Sequence, residues 1–207
     1  MRIAMPLIAG LAISHLPVVA QQIPKQPPGK AEVSRISGGR YTVDPLHSQV
    51  TFTVNHLGFS TYRGMFGNVT GSMIIDPKAP FKTKVVIDIP IRSITTTVKQ
   101  LDAHLLAPSF FDAARFPTAH FESTSVKSMG KRARIEGRLT LKGTTRPVVL
   151  DASLVGAGVM MGKRTVGFDA TMLIRRSAFG ISEGIPLIPD EVPLVISVAF
   201  EKPERNP

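Results

Sequence analysis

Most of this chain is written with a period of two, and that pattern restricts it to strands with one dry and one wet face. Val50, Phe52 and Val54 alternate with Thr51, Thr53 and Asn55. Ala133, Ile135, Gly137, Leu139 and Leu141 alternate with Arg134, Glu136, Arg138 and Thr140. Val166, Phe168, Ala170, Met172 and Ile174 repeat the pattern, as do Leu194, Ile196, Val198 and Phe200. Successive strand side chains point to opposite faces, so each run predicts a half-buried strand. Further strands are expected over 64–75, 82–89, 119–127 and 146–154. Turn residues separate them at Asp76-Pro77, Met129-Gly130, Lys142-Gly143 and Gly156–Gly158. Short turns imply antiparallel neighbours, and about eight strands of this kind must cover one apolar face by closing into a barrel or packing as a sandwich. One stretch breaks the rule. Residues 98–107 carry Val98, Leu101 and Leu105 at spacings of three and four, which predicts a short helix stopped by Pro108. Ser109 is placed to cap a further turn through Ala114.

The N-terminal stretch reads differently. Arg2 precedes an uncharged, mostly apolar run from Ile3 to Val19, followed by Ala20. This is the order of a secretory signal peptide over 1–20, cleaved near Ala20–Gln21. As an uncleaved anchor the run would be short and broken by Pro6, His15 and Pro17. The Pro- and Gly-rich segment 21–39 predicts a flexible or polyproline-like linker. A single barrel domain is expected over 40–202, with a tail over 203–207. The expected location is periplasmic or secreted.

The formal charge is +10, or +9 without the leader's Arg2. Such a charge favours anionic surfaces and predicts transient contact with a membrane. Nucleic acid is not an expected partner, because the basic residues are dispersed and stacking aromatics are scarce. With no cysteine there is no disulfide, thiolate metal site or thiol nucleophile. His47, His56, His104 and His120 lack paired metal-ligand spacing, so no metal is expected. Ser48 beside His47 would face the opposite side of a strand, and Asp102 and His104 are about 200° apart on a helix. No catalytic residues and no catalytic cofactor are therefore expected. An exposed strand edge would allow a homodimer.

Several segments, in order, are similar to a known family. They are Tyr-Thr-Val-Asp-Pro-Leu-His-Ser (41–48), Phe-Thr-Val-Asn-His-Leu-Gly (52–58), Gly-Met-Phe-Gly (64–67) and Ser-Ile-Thr-Thr (93–96). Leu-Asp-Ala-His-Leu (101–105), Phe-Phe-Asp (110–112) and Phe-Pro-Thr-Ala-His-Phe-Glu-Ser-Thr (116–124) follow. Gly-Arg-Leu-Thr-Leu-Lys-Gly-Thr-Thr-Arg-Pro-Val (137–148) and Ile-Arg-Arg-Ser-Ala-Phe-Gly-Ile (174–181) complete the series. Together they resemble the YceI-like family over residues 41 to about 201.

The resemblance implies an all-β, lipocalin-like antiparallel barrel of about eight strands with a short helical cap. It also implies an isoprenoid lipid, a polyprenyl quinone or polyprenyl phosphate, held in the interior for storage or transport; the alternatives are an enzyme acting on a lipid headgroup and a stress-related module with a filled core. The alternation alone leaves a filled core and a hollow one equally open, since the inward residues are of mixed size. On the hollow reading the expected ligand-binding residues are Val50, Phe52, Val54, His56, Phe66, Leu105, Phe110, Phe111, Phe121, Leu139, Phe168, Met172 and Phe179. Arg175 and Arg176 are expected at the barrel mouth, where either could meet a headgroup. In the helical segment Leu101 and Leu106 stand where the family usually has basic residues, and Ala107 and Ser109 where Ser and Asp are common. That departure favours a neutral headgroup such as a quinone.

Overall fold

The computed structural model describes residues 25–203. The expected leader, its cleavage point, the first four linker residues and the last four residues of the expected tail lie outside the described residues. Among the described residues, eleven strands pair antiparallel in one sheet. Several of them are halves of one strand path. β1 (Gly39–Val43) and β2 (Gln49–His56) lie end to end along β11 (Glu191–Pro203), with Val43 opposite Phe200 and Phe52 opposite Leu194. β3 (Ser60–Phe66) and β4 (Thr70–Ile75) form the next path. β5 (Lys84–Pro90) and the short β6 (Ile94–Thr95) form the third. β7 (Thr118–Met129), β8 (Arg132–Leu141), β9 (Thr144–Met160) and β10 (Lys163–Arg175) complete an eight-position ring that β11 closes against β1 and β2. Each path pairs with its chain neighbour, so the barrel is a closed up-and-down meander. Closure joins the two ends of the sheet, so no strand path of the ring is an edge.

The alternation places residues as the sequence predicts. On β8, Gly137, Leu139 and Leu141 are buried, and Arg134 and Arg138 are outside. On β10, Val166, Ala170 and Met172 are buried. Two bulges reset the phase, leaving Thr124 and Val155 unpaired as extra residues. After the first bulge Val126 returns to the interior.

The predicted helix is α1 (Lys99–Leu105). Residues 106–117 after it are turns rather than a second helical piece. Phe111 N–H donates to the Leu105 carbonyl and Asp112 N–H to the Ala107 carbonyl, which folds the chain back across α1. α1, these turns, the β2–β3 tip and residues 176–190 gather at one end, here the upper end. The β4–β5, β7–β8 and β9–β10 connections gather at the lower end.

Two expectations change at the lower end. Gly156–Gly158 is not a turn; β9 runs through it to Met160, and Met161-Gly162 turns the hairpin with both φ values positive. The linker is also not free from Pro28 onward. Lys30 and Ala157 exchange both backbone hydrogen bonds, at 3.1 and 2.9 Å. A Cβ on Gly158 would sit 2.4 Å from the Pro28 carbonyl oxygen. The glycines are there to let a second backbone approach where β9 outruns β8. Val33 and Ile36 then turn toward the interior, and Ser37 accepts a 2.8 Å hydrogen bond from the buried Tyr41 hydroxyl. The segment is a strap across the barrel's lower end.

Gly158→Ala should release that strap while leaving the ring closed. The expected result is faster tryptic cleavage after Lys30 and Arg35, with global stability in urea lowered by no more than about 1–2 kcal/mol.

Candidate functional site

The barrel interior is hollow. An upper chamber of about 500 Å³ lies under α1, and a lower one of about 160 Å³ lies above the strap. Val50, Ile87, Phe121, Leu150 and Ile196 line both, so these residues form the waist between the two lobes. β10 has 13 residues; at about 3.4 Å per residue and a tilt near 40°, the bore is about 30 Å long. The upper volume lies within the usual range for small-molecule sites, about 300–1,000 Å³.

Small residues alone do not keep it open. Phe52 and Phe121 would block the bore if they crossed it, but each ring's outer edge lies over a glycine of the next strand. A Cβ at Gly64 would meet Phe52 Cζ at 2.3 Å, and one at Gly137 would meet Phe121 Cε2 at 2.3 Å. The glycines allow both rings to lie flat against the wall. Phe66 then packs against Phe52 and, edge-on, against Phe111, with centroids 5.9 and 5.7 Å apart. The wall is therefore aromatic without being filled.

Of the residues singled out from the sequence, Val50, Phe52, Val54, His56, Phe66, Leu105, Phe110, Phe111, Phe121, Leu139, Met172 and Arg176 line the upper chamber. Phe168 lines the lower one. Two fall elsewhere. Phe179 is buried in the packing beneath the upper end and lines neither chamber. Arg175 points outward and pairs with Glu191 at 3.4 Å, because the residue after inward Ile174 must face out.

Arg176 is at the chamber, but its guanidinium is engaged. It donates to the carbonyl oxygens of Pro189, Ile181, Glu183 and Ile188 at 2.9, 3.1, 2.7 and 2.9 Å. Burial pulls its pKa down, with Asp190 pulling the other way. The fork spans residues 181–189 and turns them over the barrel end. It is a structural clamp rather than a headgroup receptor. Asp190 supports the same loop: its carboxylate accepts from the Ser177 N–H at 2.8 Å and the Ser177 hydroxyl at 2.7 Å. Those two bonds hold its pKa below the ordinary aspartate value.

Sequence reasoning missed Ser60, Tyr62, Leu101, Ile181 and Ile188, all of which line the upper chamber. Ile181 and Ile188 lie in a loop without periodicity, and only the Arg176 clamp brings them inward. Tyr62 was legible in principle, since it stands two residues before Gly64 on the same strand face. Its hydroxyl donates to the Thr96 carbonyl at 3.2 Å, and Thr96 donates to Asp102 at 2.7 Å. Among the described residues no buried side-chain polar atom lacks a hydrogen bond. The polar side chains left to face a ligand in the upper chamber are His56, Ser60 and His104, all at its rim.

The serine–histidine and aspartate–histidine pairs do not form. Ser48 Oγ accepts from the Ala199 N–H at 3.1 Å, while exposed His47 pairs with Asp44 at 2.5 Å. Asp102 is bonded to Thr96, and the His104 ring packs on Phe110 at 4.8 Å between centroids. His120 pairs with Asp88 across the outer face at 2.7 Å.

A family model for the YceI-like domain matches residues 41–200. The UPF0312 protein of Enterobacter sp. (strain 638) is 40% identical over 153 residues, covering 73% of this chain and 80% of the relative. Protein YceI of Salmonella arizonae is 39% identical over the same shares. Among solved structures, the YCEI protein of Campylobacter jejuni has a TM-score of 0.62 at 29% identity, covering 73% of this chain and 90% of its own. Burkholderia cenocepacia BcnA has a TM-score of 0.67 at 23% identity, covering 76% and 98%. A polyisoprenoid binding domain from Saccharophagus degradans scores 0.57 at 15% identity, covering 79% and 98%. The last two show the fold alone.

Two outcomes follow from this geometry. Gly64→Ala should push the Phe52 ring into the upper chamber and weaken uptake of an apolar fluorescent dye about tenfold, with the far-ultraviolet circular dichroism unchanged. Separately, a depressed carboxylate stabilises the fold above its unfolded pKa near 4, and that contribution is lost as pH falls through the folded value. Hydrogen exchange over residues 176–190, corrected for intrinsic rates, should therefore rise as pH falls below about 4, and Asp190→Asn should remove that pH dependence.

Proposed function

The chain belongs to the YceI-like family, and on that premise we propose that it is an exported, non-catalytic carrier holding a long-chain isoprenoid lipid in its bore. One observation carries the reading: the barrel encloses a two-lobed apolar space in which no buried side-chain polar atom is left unpaired among the described residues. A linear prenyl tail suits that space because it makes no hydrogen bonds and is costly to leave in water. Each CH₂ removed from water contributes about 0.8 kcal/mol, or about 3–4 kcal/mol for a five-carbon unit. A shorter or polar ligand would leave much of the bore wet or its own groups unpaired.

The headgroup would rest at the upper rim, near His56, Ser60 and His104. We favour a neutral headgroup that accepts or shares hydrogen bonds, such as a quinone. The one cation lining the upper chamber among the described residues is Arg176, and its N–H groups are already committed to carbonyls. A phosphate placed there would lack a charged partner in a largely dry site, which is costly. Storage or shuttling between membranes follows from the same design, since a closed barrel shields the tail while its charged outer face stays in water. The apolar stretch over 1–20 supports an exported location.

Native mass spectrometry of protein purified without detergent tests the reading. A discrete adduct should appear whose organic extract is a neutral isoprenoid, and it should be lost in Ala119→Phe, which fills the upper chamber. A bare protein mass in repeated preparations would refute the carrier reading. An extract dominated by polyprenyl phosphates would refute the neutral headgroup alone.

A further inference from the structure

The two barrel ends differ in charge, although both expose large apolar residues, among them Phe59 at 90% and Leu187 at 68% at the upper end. At the upper end the signs are mixed: Lys99, Arg115 and Lys142 stand with Asp102, Asp112 and Glu183. Lys142 is also occupied, donating to the Pro108 and Gly180 carbonyls at 2.9 and 3.1 Å. At the lower end the connections carry Lys30, Lys78, Lys82, Lys131, Arg132 and Lys163, against Glu32, Asp76 and Glu201. Glu201 is committed to Lys163 at 2.6 Å.

Large apolar side chains stand among these cations. Phe81 is 70% exposed, Met129 62% and Met161 68%. Phe81 and Met161 lie in the β4–β5 and β9–β10 connections, and Met129 ends β7 at the β7–β8 connection. The Lys82 ammonium lies 5.9 Å from the centre of the Phe81 ring. The lower chamber reaches this surface, since Pro80, Gly130, Lys131 and Arg132 are among its lining. Exposed apolar tips within a cationic field match a bilayer interface, where the tips enter the acyl boundary and the cations meet anionic headgroups. A polyanion such as nucleic acid would use the charge but gain nothing from Phe81 and the methionines.

We propose that the lower end of the barrel, with Phe81, Met129 and Met161 at its tips and Lys131 and Arg132 beside them, is a docking face for an anionic lipid bilayer. Docking there brings the lower chamber to the membrane, opposite the rim assigned to the headgroup. This inference does not depend on the lipid cargo, because delipidated protein presents the same surface.

Flotation of the delipidated protein with phosphatidylglycerol/phosphatidylcholine vesicles tests it. Binding should appear with the anionic vesicles, fall steeply between about 0.05 and 0.5 M salt as the Debye length shrinks from about 14 to about 4 Å, and be absent with phosphatidylcholine alone. Lys131→Glu with Arg132→Glu should reduce it at least about tenfold. Phe81→Ser with Met129→Ser and Met161→Ser should do the same, while Phe59→Ser at the upper end should leave it unchanged. All these positions are exposed, and an unchanged melting temperature confirms that each variant is folded. The proposal fails if anionic vesicles are not bound, if the Phe81/Met129/Met161 variant binds like the parent, or if only Phe59→Ser abolishes binding. Failure here leaves the mass-spectrometric test of the cargo untouched.

Discussion

The antiparallel pairing of β11 with both β1 and β2 is the contact on which the rest of the structure depends. Without it the sheet would have two open edges and an apolar face turned toward water. With it, each of the eight strand paths has a neighbour on both sides and the dry face of each looks at the dry faces of the others. The kink at 44–48 is part of this closure. Asp44 binds the Leu46 N–H at 3.0 Å and His47 at 2.5 Å, which lets one path serve β11 twice, at Phe200 and again at Leu194.

Closure alone does not make a carrier, because a ring of this size can be filled by its own side chains. The interior stays open through an arrangement of unlike neighbours. Phe52 and Phe121 lie flat because Gly64 and Gly137 are the residues they cover. Turns and clamps then finish the ends. Arg176 holds residues 181–189 over one end, and the strap from Pro28 to Ile36 crosses the other. Phe110 and Phe111 reach the chamber because the turns after α1 fold back on it. The upper rim is the place where histidines and a serine remain available, so any polar part of a ligand would rest there.

Much of this was readable from residues alone. The alternation placed Val50, Phe52, Leu139, Met172 and their neighbours on the inner wall, and the 3–4 spacing at 98–107 located α1. Other features were not readable, for physical reasons. A glycine that ends a strand and a glycine that admits another backbone look alike in one dimension, so Gly156–Gly158 was read as a turn although Pro28 and Lys30 pack against it. A Pro-rich stretch carries no sign that a partner strand awaits it. Arg175 and Arg176 are adjacent and alike, yet strand parity turns one outward and the loop carbonyls capture the other. Phe179 belongs to packing beneath the upper end, because the turn at 176–179 directs it away from the chamber.

The sequence by itself determined that this is a sheet with one dry face and which side chains its clearest runs turn inward. Period-two alternation is local chemistry, and each strand obeys it without knowing its neighbours. Tertiary structure alone decided that the dry faces enclose a space rather than a solid core. It also decided that the space has a waist and that cations gather around exposed apolar side chains at the lower end. Those properties depend on how ring, glycine and loop from distant parts of the chain meet across the barrel. No pattern along a single strand records the volume left between strands.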